Sequence, residues 1–221
     1  LTPEEAPAIG QALVDSGFAL IEVPLNSPRP LDSIAALAAQ HPGHLIGAGT
    51  VLSAAQVRDV QAAGGRIIIS PHFDPDVVRE AVRLGLACVP GVATPSEAFA
   101  ALNAGAHALK LFPAELITPT VLKAMRAVLP AATALLPVGG ITPDNMAAYR
   151  AAGATGFGLG SALYAPGRSA DQVRAAAQKR GPFPGTAPIA MAADARSRLA
   201  RKRVSACGIS APAPPARAGA G

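Results

Sequence analysis

One unit repeats along this chain and decides its architecture. A short apolar run ends in Gly, Pro or a small polar residue. A helix cap follows, and an alanine-rich stretch then closes on a glycine. The apolar runs cover residues 18–23, 44–48, 66–70, 86–89, 108–111, 134–138 and 156–159. They are continuous rather than alternating, as strands buried on both faces of a parallel sheet are. Their spacing of ~20–25 residues is that of one strand–helix unit in a (β/α)8 barrel. The helix starts are explicit. Thr2 with Glu5, Ser53 with Gln56, Thr94 with Glu97 and Ser169 with Gln172 have the capping-box spacing. Thr118-Pro119 and Thr142-Pro143 set a proline just inside a helix, while Gly17, Gly64, Gly85, Gly105 and Gly153 close helices from the other end. The count is seven strands and eight helices, and the chain opens on a helix. The expected fold is α/β, a (β/α)8 TIM barrel lacking its first strand.

The 221 residues divide into a barrel domain, 1–185, and an appendage, 186–221. The net charge of +5 belongs to the second part. Six of the 19 basic residues and one of the 14 acidic residues fall there, which leaves 13 of each in the first 185. The barrel therefore carries no basic face for nucleic acid. Gly181-Pro182-Phe183-Pro184-Gly185 breaks the last helix, residues 191–203 could form one basic helix, and 211–221 are only Ala, Pro, Arg and Gly, a composition expected to be disordered. No apolar run approaches the ~20 residues of a membrane span, so no membrane partner is expected. The N-terminus is not a signal peptide and lacks an initiator Met, as in a processed or incomplete chain. Cys88, in an apolar run, reads as a buried inert thiol, and with Cys207 far away in the tail the usage fits a cytoplasmic setting.

The four lysines are unequal. Lys123 and Lys179 fall in helical patterns and Lys202 in the tail, but Lys110 stands inside Ala108-Leu109-Lys110-Leu111-Phe112. Among the acids only Glu22, in Leu20-Ile21-Glu22-Val23, is likewise inside a strand; all eight aspartates and the other five glutamates fall in helices, caps, loops or the tail. A charge inside an apolar strand is costly unless it is paired or used. A buried amine with a buried carboxylate is the minimum for Schiff-base chemistry on a carbonyl. Taken alone, Lys110 could instead snorkel from a strand end and Glu22 could serve a structural ion pair. His41, His44 and His107 have no metal-ligand spacing, so no metal is expected, and no cofactor motif is present. His72 and Arg29 read as solvated loop residues and Glu115 as serving the loop after the lysine strand.

In a (β/α) barrel the site lies at the C-terminal strand ends. Here those ends carry Glu22, Gly49-Thr50, Ser70-Pro71, Pro90-Gly91, Lys110, Gly139-Gly140 and Gly160-Ser161. Five runs stand in order: Glu22-Val23-Pro24-Leu25-Asn26-Ser27-Pro28, Gly47-Ala48-Gly49-Thr50-Val51-Leu52, Leu109-Lys110-Leu111-Phe112-Pro113-Ala114, Val138-Gly139-Gly140-Ile141-Thr142-Pro143 and Gly158-Leu159-Gly160-Ser161. Together they resemble the 2-keto-3-deoxy-6-phosphogluconate/galactonate aldolases, over roughly residues 1–180. The resemblance implies a metal-free, cofactor-free class I aldolase with Lys110 as the Schiff-base lysine and Glu22 as the general acid/base. It sets Thr50 and Pro71 around the pyruvate moiety, and Gly139, Gly140, Gly160 and Ser161 around the phosphate. Backbone N–H groups in the last two strand–helix loops are the usual phosphate cradle of such barrels, which agrees. Asn26 stands where the gluconate enzymes resemble Thr-Leu-Arg-Thr-Pro, and Val138 where they carry Thr before the glycine pair. Both positions point to the galactonate branch. The family also has a first strand ending in Arg-Gly, which this chain lacks. The implied activity is cleavage of 2-dehydro-3-deoxy-6-phospho-D-galactonate to pyruvate and D-glyceraldehyde 3-phosphate in a cytoplasmic homotrimer. The alternatives are the gluconate epimer, or a truncated barrel that only binds a phosphorylated ligand.

Overall fold

The computed structural model describes residues 1–178; the appendage 186–221, expected to be disordered, lies outside them. Eight helices occur among the described residues: α1 Ala6–Asp15, α2 Pro30–Gln40, α3 Ala54–Ala62, α4 Pro75–Arg83, α5 Pro95–Ala104, α6 Pro119–Val128, α7 Pro143–Ala151 and α8 Ala170–Gln178. They alternate with short strands: β1 Leu20–Pro24, β2 Leu45–Gly49, β3 Ile67–Ile69, β4 Ala87–Val89, β5 Gly91–Val92, β6 Leu109–Leu111 and β7 Leu135–Pro137. All pairings are parallel, in the order β1-β2-β3-β4 and then β5-β6-β7. None of the eight helices is long and apolar enough to cross a membrane.

Two of the expected strands are realised differently. The run 86–89 continues past Pro90 as β5, because proline has no N–H to give the ladder and splits the strand in two. The Pro90 carbonyl still accepts from the Lys110 N–H at 2.9 Å, so the line of pairing is kept. The run 156–159 forms no strand, only a parallel bridge between Val138 and Gly158. Its glycines, Gly156 and Gly158, weaken a strand, yet the chain still follows β7 through Thr155 N–H to Leu135 O and Gly158 N–H to Pro137 O.

The apolar runs feed two layers. Inside the curved sheet, Ile67, Ile69, Val89, Ala108 and Leu136 pack with Leu20, Leu45, Ala87 and Ala134. Outside it, alternate residues of the same strands meet the helices: Ile21, Val23 and Ile68 with Ile34 and Leu37 on one side, Leu109, Leu111 and Leu135 with Leu122 and Tyr149 on the other. Strand residues thus contribute to both layers, which explains the lack of alternation in the sequence. Among the described residues β1 pairs only with β2, so its other edge faces the 155–159 segment across a gap.

Several caps form as their spacing predicts. Thr94 and Glu97 make both halves of a capping box at α5. Ser169 N–H donates to Gln172 at 2.9 Å while the Ser169 hydroxyl accepts from Gln172 N–H at 3.3 Å. At α3 the Ser53 hydroxyl accepts from Gln56 N–H at 3.3 Å as spaced, while the Gln56 side chain accepts from Leu52 N–H, one residue before the cap.

The helix layer is also tied to the lysine strand. The buried Tyr149 hydroxyl of α7 donates to the Ala114 carbonyl, three residues past β6, at 2.9 Å. The Ala114 carbonyl keeps a second donor, Ile117 N–H at 3.1 Å. Tyr149→Phe is therefore expected to cost only about 1 kcal/mol of unfolding free energy, measured by denaturant titration.

Candidate active site

The gap beside β1 opens into a cavity of about 180 Å³. Its wall is formed by residues of β1, the interior layer and the 155–159 segment, and it is predominantly apolar. Of all its lining residues only two carry charge, Glu22 and Lys110. Val138 lines it as well.

Lys110 is the middle residue of β6, locked by backbone pairing to Gly91 on one side and Leu136 on the other. It is 8% exposed, and its ammonium stands 4.8 Å from the centroid of the Phe112 ring. A cation over an aromatic face is held electrostatically without a fixed hydrogen bond. The side chain thus stays in the cavity.

Glu22 is the middle residue of β1, its Cα opposite Gly47. The residue is half-buried because it lines the cavity, but Oε2 is covered completely and accepts no hydrogen bond. Burial pushes its carboxyl above the ordinary carboxylate range, and the charge of Lys110 offsets this only in part. The two side chains make no ion pair. A carboxyl of raised pKa beside a lysine, with no direct bridge between them, can exchange protons with a molecule standing between them.

The segments after the strands carry the other expected residues. Thr50 follows β2 with φ +59°, a conformation costly for a β-branched residue. Backbone strain of this kind, about 1–3 kcal/mol, concentrates at functional positions. Gly139 (φ +102°) and Gly140 (φ +59°) turn the chain after β7 in the left-handed region, where glycine is favoured. The Glu115 carboxylate lies against this pair; a Cβ on Gly139 would come within 2.5 Å of its Oε2. Gly160 accepts from the N–H groups of Leu163 and Tyr164, forming a turn that leaves Ser161 exposed. Pro71 lies over Gly91, whose missing side chain lets the Pro71 carbonyl approach the strand.

The cavity thus unites Glu22, Lys110 and Val138. Asn26, Thr50, Pro71, Gly139, Gly140, Gly160 and Ser161 lie outside its lining. Asn26 is exposed in the turn after β1, and His72 is exposed too. Arg29 pairs with Glu4 and, at 3.7 Å, with Asp32. Cys88 is buried, and burial pushes its thiol up to about 12. No group of three or more metal-ligating side chains occurs among the described residues.

The family model for KDPG and KHG aldolases matches residues 2–176. The chain belongs to this aldolase family. A protein of Rhizobium meliloti (strain 1021) named "Probable 2-dehydro-3-deoxy-6-phosphogalactonate aldolase" is 50% identical over 175 residues, 79% of this chain and 82% of the relative. The 2-dehydro-3-deoxy-6-phosphogalactonate aldolase of Escherichia coli (strain K12) is 46% identical over 173 residues, 78% of this chain and 84% of the relative. A solved structure titled "Native KDPGal structure" superposes with a TM-score of 0.79 at 40% identity, covering 93% of this chain and 92% of that one. The parallel α/β architecture with its eight helices is the (β/α)8-type fold of the KDPG aldolases.

Two structural roles in this aldolase were not read from the sequence. Asn145 donates from Nδ2 to the Gly140 carbonyl at 2.9 Å and accepts from Thr142 N–H at 3.0 Å, so it clamps the glycine turn to the start of α7. The signal was present, since Thr142 and Asn145 have capping-box spacing. The second is Gly49, whose contact no spacing rule reveals.

Proposed function

We propose that this aldolase is a Schiff-base enzyme that cleaves 2-dehydro-3-deoxy-6-phospho-D-galactonate to pyruvate and D-glyceraldehyde 3-phosphate. One observation carries the mechanism: a single apolar cavity contains one amine and one carboxyl as its only charged side chains. Lys110 Nζ attacks the C2 ketone to give a carbinolamine. Glu22 gives a proton to the departing hydroxyl, and the iminium forms with loss of water. Glu22 then takes the C4 hydroxyl proton, directly or through a water. The C3–C4 bond breaks, its electrons pass into the iminium as an enamine, and the aldehyde leaves. Protonation at C3 and hydrolysis release pyruvate and restore Lys110. Thr50 and Pro71 are assigned to the pyruvate end, and the backbone of Gly139, Gly140, Gly160 and Ser161 to the phosphate, whose anion suits glycine N–H groups. Asn26, exposed in the turn after β1, is assigned to the carboxylate end.

The names of the two relatives support the galactonate epimer, and so does Val138. Its side chain packs over Gly158, where a Cβ would meet Val138 Cγ2 at 2.5 Å, and it lines the cavity with Lys110 and Glu22. The C4 hydroxyl becomes the aldehyde oxygen, so its orientation is read where the bond breaks. Valine offers no hydrogen bond there, whereas threonine could. A missing polar partner changes discrimination by about 1–3 kcal/mol, roughly 10–200-fold. The expected result is a higher kcat/KM for the galactonate epimer than for the gluconate epimer, with Val138→Thr moving the ratio toward gluconate. Measuring kcat/KM for both epimers with both proteins decides it; a wild-type preference for gluconate would overturn the assignment.

The family match ends at residue 176, which supports taking 1–185 as the aldolase domain and 186–221 as an appendage. A homotrimer in the cytoplasm is the setting that the resemblance implies, and light scattering on the purified protein tests the trimer.

A further inference from the structure

Gly49 ends β2 and is buried. A Cβ built on it would lie 2.3 Å from Oε2 of Glu22, 2.8 Å from Cδ and 3.3 Å from Oε1. The Glu22 carboxylate therefore fills the volume that any side chain at 49 would take. Backbone conformation is not the reason for glycine here, because Gly49 is absent from the positive-φ residues. Other glycines of the sheet differ. A Cβ on Gly47 would strike the Ile67 carbonyl at 2.0 Å, and one on Gly91 the Pro71 carbonyl at 2.2 Å. Those two are required by main chain approaching main chain. Gly49 is required by a side chain alone, and that side chain is the cavity's only acid. Oε2 has no hydrogen bond to fix it, so shape does the positioning.

We infer that Gly49 is a positioning residue for the aldol reaction: its missing side chain is the slot that aims the Glu22 carboxyl at the cavity beside Lys110. The inference rests on the reading of Glu22 as the proton carrier. An alanine methyl at 49 must push the carboxylate aside, since it cannot coexist with an oxygen at 2.3 Å. Shortening Glu22 by one methylene withdraws the carboxylate from the clash.

The test compares wild type, Gly49→Ala, Glu22→Asp, the double variant and Glu22→Gln. Each is assayed for kcat, KM and the pH dependence of kcat/KM on the phosphorylated keto-acid, with its melting temperature. Gly49→Ala is expected to lower kcat about 10–100-fold with little change in KM, and to displace the acidic limb of the pH profile, because a displaced carboxyl has a different burial. Glu22→Asp, harmful alone, is expected to be neutral or restorative in the alanine background. A wild-type kcat and pH profile in Gly49→Ala, or losses that simply multiply in the double variant, would overturn the inference. So would a Gly49→Ala protein that fails to fold and that Glu22→Asp does not rescue, since the glycine would then serve the sheet. Glu22→Gln separates the two levels. If it loses turnover while Gly49→Ala does not, only the role of Gly49 falls. If it keeps wild-type turnover, the reading of Glu22 falls.

Discussion

Lys110→Ala is expected to lower retro-aldol turnover by about 10⁴-fold or more while leaving the barrel assembled, because the imine path disappears and no second amine lines the cavity. The strand does not depend on the side chain. Lys110 is held in β6 by its backbone, through its N–H to the Pro90 carbonyl and its pairing with Leu136. Its ammonium contributes a contact with the Phe112 face, at 4.8 Å, and a charge that lowers the Glu22 carboxyl in part. Truncation leaves Glu22 without a neighbouring positive charge, which removes the one influence that lowers its carboxyl. Glu22 then holds its proton rather than standing charged and unpaired, so the stability change should be small beside the loss of activity. Lys110→Arg should be equally inactive, since a guanidinium stays protonated and cannot attack a carbonyl. Two measurements check the assignment. Turnover is followed by pyruvate release, and the covalent adduct is trapped with pyruvate and borohydride and weighed as intact protein. The wild type should gain mass at Lys110 and neither variant should. Retained turnover in Lys110→Ala would sink the mechanism.

The architecture was legible because each strand is buried on both faces and each helix announces its start. Apolar runs without alternation have few other uses, and the caps at Thr94 and Ser169 formed as spaced. The reading was weakest where backbone chemistry interrupts a strand. Pro90 cannot donate to the ladder, so one run became β4 and β5. Gly156 and Gly158 give the last run too little side chain to hold more than a single bridge. Lys110 and Glu22 stood out because a charge inside an apolar strand needs a reason. Their sharing one cavity with Val138 could be expected only from the barrel, since they come from β1, β6 and the residue after β7. The contact between Glu22 and Gly49 was not legible at all. It depends on the register that sets Glu22 opposite Gly47 and Pro24 opposite Gly49, and no propensity or spacing specifies that register. The hydrogen bonds of Asn145 were available in the capping pattern of α7, but the main-chain carbonyl it holds belongs to a turn whose geometry requires coordinates.

Glu22→Gln is the second large effect, and its two readouts have opposite signs. Turnover should fall by about 10²–10⁴-fold, the usual loss when a positioned acid/base is replaced by a group that cannot transfer a proton. Stability at neutral pH should not fall with it. Burial raises the Glu22 carboxyl above its ordinary value of 4.5, and Lys110 compensates only in part. The folded protein therefore binds this proton more tightly than the unfolded chain does. Between the two pKa values the folded state carries more protons, so stability declines as pH rises. The contribution of Glu22 is fully present below 4.5 and is lost as pH climbs through the raised folded-state value. Glutamine is neutral throughout and has nearly the same shape, so it escapes that loss. The variant is thus expected to melt close to the wild type at pH 4, and above it at neutral pH, the gap widening between. A buried carboxylate kept at a cost to stability is the behaviour of a group retained for chemistry. Melting curves across this pH range, together with kcat, test both halves. A Gln variant that keeps wild-type turnover, or whose stability falls progressively below the wild type as pH rises, would show that Glu22 is a structural ion rather than the proton carrier.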